Sequence, residues 1–224
     1  MVVAHLTPRL PLAVIISLLL LCVFSGAAAA ASPRTEIKAL FSSSANESAV
    51  RQCSTAETQR FREQTTDTPG KRALAVCERD ARLSEERAAV AVVSHIAVRG
   101  RTATLHLKPF GTNLEGQILR IRLIRFAGRW KADEILGFFH LDRDKLIEVF
   151  KEKFSSPGSH VPVKVASCIY GRLRHASAAE ITGYLFSGSP EGFNELYDPC
   201  LPGHSENAGL LDPVKSTRSL SGWL

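Results

Sequence analysis

Five cysteines in 224 residues are too few for a small disulfide knot, and the chain lacks the acidic excess of a disordered acidic protein, carrying 22 Asp and Glu against 28 Lys and Arg. It has no heptad pattern, no Gly-X-Y period and no internal repeat, which excludes a coiled coil and a collagen-like chain. A charged fraction of 22% with mean hydropathy near zero excludes a polytopic membrane protein. The sequence holds no G-x-S-x-G, no H-E-x-x-H, no phosphate-binding glycine loop and no paired Cys–His spacing. No reaction can be read from it, and neither cofactor nor metal is expected. What is present is 45% hydrophobic residues and a net charge of +6. That suits a basic, mostly soluble α+β protein of one ordinary domain with a small second one.

Residues 1–31 carry one charged side chain, Arg9, then an apolar run and the small-residue tract ending at Ala31. A short positive region, an apolar stretch and an A-x-A site describe a secretory signal peptide. Counted through the alanines, the run also reaches the roughly 20 residues of an uncleaved membrane anchor. Lipidation at Cys22 is disfavoured because Leu21 precedes it where a small residue is needed. Either main reading exports the bulk of the chain. An extracytoplasmic place agrees with an even set of remaining cysteines, Cys53, Cys77, Cys168 and Cys200. Three connectivities exist, and the local one, Cys53–Cys77 with Cys168–Cys200, is favoured because each pair falls in its own module. Zinc is disfavoured by the absence of C-x-x-C or a nearby His pair.

Residues 32–140 read as helices followed by strands. Ser32-Pro33 opens a helix with Ile37, Leu40 and Phe41 on one stripe, and a short helix follows over 47–53. Ser54-Thr-Ala-Glu57 fits a capping box ahead of a helix carrying Phe61, and 71–87 reads as a charged helix. The period then becomes two. Ala103, Leu105 and Leu107 alternate with polar residues, as do Leu119, Ile121 and Leu123, then Trp130 and Ala132, with short Gly turns between. This predicts a four-stranded antiparallel meander, its apolar face roofed by the preceding helices and its pattern stopping near 137–140. Residues 141–200 predict four short amphipathic helices closed by Cys168–Cys200. Asp142, Pro162, Ser177-Ala-Ala-Glu180 and Ser189-Pro190 are their starts, and 201–224 reads as a flexible tail.

Helix, short helix, capped helix and then a meander ending in Gly128-Arg129-Trp130 with Asp133 resembles the NTF2-like (cystatin-like, SnoaL-like) α+β cone. The likeness is greatest to exported, lipoprotein-like bacterial members, which carry a Cys in the second helix and another before the sheet, here Cys53 and Cys77. It covers roughly residues 32–139; the later helical module is not recognised. The resemblance implies a pocket between helices and sheet, in a family that includes enzymes, ligand binders and pocketless interaction modules. Its enzymes set an Asp with a Tyr or His on the strands.

The positions that match such a pocket are His95, Glu134 and Trp130, with Asp133 considered beside them. Strand phase sends Asp133 outward and Glu134 inward. A second candidate is electrostatic: His106, Lys108, Arg120, Arg122, Arg129 and Lys131 fall on the outward phase of three strands and form one basic face if these pair in order. Outside a cell such a face suits anionic lipid or wall polymer. Nucleic acid is disfavoured by the export signal and the missing aromatic interleaving. Asn46-Glu47-Ser48 is a glycosylation sequon. The leading expectation is a non-catalytic module binding a ligand or partner at the envelope. A structural envelope protein docking its basic face and an isomerase or lyase in the cone are the alternatives.

Overall fold

The alternating stretch folds as four strands: β1 (Val90–Arg99), β2 (Thr102–Phe110), β3 (Ile118–Phe126) and β4 (Arg129–His140). They are hydrogen-bonded in the order β1-β2-β3-β4, every neighbour antiparallel. The computed structural model describes residues 31–42, 49–84, 90–157, 159 and 161–203. Residues 1–30 of the expected leader, the sequon and the expected tail beyond residue 203 lie outside the described residues, among which no helix is long and apolar enough to cross a membrane. The β3–β4 turn has positive φ at both Ala127 (49°) and Gly128 (79°), the backbone twist a two-residue hairpin needs.

The sheet's inner face is aliphatic and closed. Leu105, Leu119, Ile121 and Leu123 are all fully buried. Helix α1 (Pro33–Ser42) lays Ile37 over β1 and β4, and α3 (Gln59–Thr66) adds Phe61. Helices α2 (Ala49–Thr55) and α4 (Arg72–Ser84) are joined by the Cys53–Cys77 disulfide, with Cα atoms 6.0 Å apart.

Two sequence expectations change here. Ser54 does not cap α3: it lies in the last turn of α2, its hydroxyl donating to the Arg51 carbonyl, while Thr58 accepts from Phe61 N–H. The reason is tertiary. Residues 56–58 are drawn alongside β4, where Ala132 N–H donates to the Ala56 carbonyl (2.8 Å) and Thr58 N–H to the Ala132 carbonyl (2.9 Å). Those bonds occupy backbone groups that an open sheet edge would leave exposed. Second, β4 runs on to His140, past the point where the alternation fails. Three register shifts lie between it and β3, and each extra residue flips the side-chain phase.

After the sheet come α5 (Arg143–Ser155), α6 (Val163–His175), α7 (Ala178–Phe186) and α8 (Pro190–Tyr197), then a 3-10 turn (Asp198–Cys200). Asp142 caps α5 and the Ser177–Glu180 capping box is complete, both as the sequence predicts. Cys168 and Cys200 are bonded. These helices share the sheet's core, so the roof is wider than expected. Gln64 takes Ile135 N–H (2.7 Å) and donates to the Phe186 carbonyl (3.0 Å), tying α3, β4 and α7 together. Gly137, at φ +125°, permits the approach: a Cβ there would stand 3.0 Å from Thr182 Oγ1 of α7.

Candidate functional site on the open sheet face

The other face of the sheet carries the candidate residues. β1 is bulged between Ser94 and Ala97, with His95 at φ +52°, a conformation that non-glycine residues rarely hold. The bulge brings the His95 ring to 4.7 Å from that of His106 on β2, and His106 stacks on Phe139 of β4 at 3.8 Å. Arg120 of β3 is the register partner of His106. Together with Thr104 these residues line a depression of about 290 Å³.

Electrostatics divide the face in two. At the β4 bulge, Asp133 and Glu134 together oppose Arg122, because Leu123 pairs with Ala132 and Arg122 with Glu134, leaving Asp133 extra. Arg122 donates to Asp133 Oδ2 from both Nε (3.0 Å) and Nη2 (2.8 Å), and Nη2 also lies 2.8 Å from Glu134. Arg60 of α3 holds Glu134 as well. Arg122 is therefore neutralised, which removes it from the expected basic face. Lys131 is drawn away too: its Nζ donates to the Ser54 carbonyl (3.0 Å), and burial followed by Arg62 and Arg129 lowers its pKa.

The depression end is different. Arg120 and Lys108 have no carboxylate partner among the described residues, and Lys108 leans over the Phe110 ring at 5.2 Å. His106 has its pKa lowered, first by burial and then by the neighbouring His95 and Arg120. Arg120 thus lines a site whose imidazole resists taking another charge. An anion would relieve that repulsion, and the Phe139 ring supplies an apolar wall.

The pocket expected between helices and sheet is not assembled from its three residues. Trp130 points inward and is buried in the core, with the Arg125 guanidinium over its ring. Glu134 is on the opposite face in ion pairs, contrary to the inward phase expected of it, because the bulge at Asp133 shifts it. Asp133 does face outward, yet it is only 8% exposed, covered by its bonds to Arg122. His95 lies in the outer depression. Arg129 remains exposed at the start of β4.

Phe139 escaped the sequence reading because nothing in a single sequence marks a bulge. Three large exposed apolar side chains of the sheet lie on this same face: Val92 (52%), Phe139 (57%) at the depression, and Phe126 (60%) at the far end of β3. Strand phase sets Val92 opposite Lys108 and puts Phe126 in line with Arg120 and Arg122. Compared with protein-family models, curated proteins and solved structures, the chain finds no match.

Proposed function

We propose that this is an exported, non-catalytic NTF2-like module of the cell envelope that binds an anionic lipid surface through the open face of its sheet. The observation that carries the reading is the coincidence, on one face, of unneutralised cations at Arg120 and Lys108 with exposed Val92, Phe126 and Phe139. Apolar side chains among basic ones suit a headgroup layer, where the former enter the acyl boundary and the latter meet phosphate. The leader and the two disulfides support an extracytoplasmic place. The residues on the inner face, Leu105, Leu119, Ile121 and Leu123, are packed into the apolar core, which favours binding on the open face.

Co-sedimentation with vesicles of phosphatidylglycerol and phosphatidylcholine tests it. Each basic side chain near an anionic leaflet is worth about 1 kcal/mol, so Lys108→Glu with Arg120→Glu should lower the partition coefficient by about thirtyfold or more. Binding should weaken as salt rises and strengthen as His106 gains a proton on acidification. No sedimentation with phosphatidylglycerol vesicles at low salt would overturn the proposal. So would equal binding to purely zwitterionic vesicles.

A further inference from the structure

The Cys53–Cys77 disulfide has a carboxyl group beside it. Glu57 Oε2 lies 3.6 Å from Cys77 Sγ, and the two sulfurs and this carboxyl group fit within 4.8 Å of one another. A disulfide sulfur carries no hydrogen, so a hydrogen bond in that contact must be donated by a protonated Glu57. The surroundings agree. Arg62 of α3, the cation whose charge acts on Glu57, spends Nη1 on the Cys53 carbonyl (2.6 Å) and the Glu57 carbonyl (2.9 Å), and its Nε is buried without a partner. Lys131 of β4 is committed to the Ser54 carbonyl. Burial pushes the Glu57 carboxyl up to about 7 against the opposing pull of Arg62. Access is one-sided: Cys53 is 2% exposed, whereas Cys77 is half-buried.

We propose that Cys53–Cys77 is an exchangeable disulfide with its own proton donor, a site that takes an external dithiol as substrate. One thiolate of the dithiol attacks Cys77 Sγ, the Cys53–Cys77 bond breaks, and Cys53 leaves as a thiolate that receives the Glu57 proton. The second thiol of the dithiol, deprotonated by solvent, then attacks its own sulfur in the mixed disulfide and expels Cys77 as a thiolate. Cys77 and Glu57 regain protons from water. The protein disulfide is reduced by two electrons and the dithiol is oxidised to its cyclic disulfide. Above the range where Glu57 holds its proton, its carboxylate repels both the incoming and the departing thiolate.

Cys168–Cys200 in the same molecule is the control. It closes a sequence separation of 32 against 24, and its Cys200 Sγ sits by the Leu196 carbonyl at 4.0 Å. The full chain is treated with dithiothreitol at fixed thiolate concentration, trapped by alkylation, and each cysteine pair is followed by mass spectrometry. At pH about 6, Cys53–Cys77 should open on the order of tenfold faster than Cys168–Cys200, and Glu57→Gln should remove that advantage. In the unaltered chain the ratio of the two rates should fall as pH rises through about 7. Equal rates for both disulfides at pH 6, or a ratio independent of pH, would overturn the proposal. The second readout needs no variant, so a poorly folded Glu57→Gln protein cannot obscure the answer.

Discussion

Raising the pH from about 5 to 8 is expected to destabilise the protein by several kcal/mol, and Glu57→Gln with Asp67→Asn should abolish most of that loss. Burial raises both carboxyls to about 7, from ordinary values of 4.5 for Glu57 and 3.8 for Asp67. Asp67 also has a buried Oδ1 with no hydrogen-bond partner, which an ionised carboxylate tolerates poorly. The sign follows from proton counting. Between the unfolded and folded values, the unfolded chain has released its proton while the folded chain keeps it. Rising pH therefore favours unfolding, the loss starting near pH 4 and complete just above 7. At about 1.4 kcal/mol per tenfold change in proton affinity, the two groups together are worth several kcal/mol, a large part of an ordinary domain's stability.

Two other groups bear on the same profile. Lys153, lowered to about 8 by burial, acts only above that pH, where stability rises as the unfolded chain holds the extra proton. His106 acts in the opposite sense to the carboxyls, costing stability as pH falls below its ordinary 6.5. Asp67 sits at φ +46° as the C-cap of α3, a conformation asparagine also accepts, so the amide variant should fold. Urea unfolding at several pH values measures the effect. A flat stability profile from pH 5 to 8 would contradict it.

How far the fold could be read from the sequence depends on what each signal needed. Alternation in 103–107 and 119–123 is local, and the strands lie where it puts them. The caps at Asp142 and Ser177 are decided by a side chain three residues from its backbone partner, and both are formed. The failures share another cause. The Ser54–Glu57 box was lost to hydrogen bonds made with Ala132, more than seventy residues away. Glu134 changed faces because of a bulge that leaves no trace in the alternation of Trp130 and Ala132.

The same limit applies to the site. Arg120 and His106 were legible as outward basic residues, but not that Arg122 beside them would be neutralised by both members of a bulge. His95 joins His106 only through a second bulge. The raised pKa of Glu57 follows from burial, which the sequence does not express.

Loss of the other disulfide, in Cys168→Ala with Cys200→Ala, is expected to cost about 3–4 kcal/mol, from the entropy regained by the unfolded chain when a loop of this size is released. For a chain of this size that is roughly a 10 °C fall in midpoint. The folded state should survive it. Leu173 of α6 and Leu196 of α8 are fully buried, and Ile181 and Leu185 belong to the same apolar core as Ile121 and Ile135 of the sheet. Gln64 and the Phe138–Phe186 ring contact at 5.8 Å cross between sheet and later helices. Because that core is continuous, the variant should still melt in one transition, with residues 141–200 and the sheet unfolding together. A separate early transition of the helices, seen by hydrogen exchange confined to α6 and α8, would mean that the disulfide and not the shared core joins them to the sheet. An unchanged midpoint would mean that the bridge constrains nothing the core does not already hold.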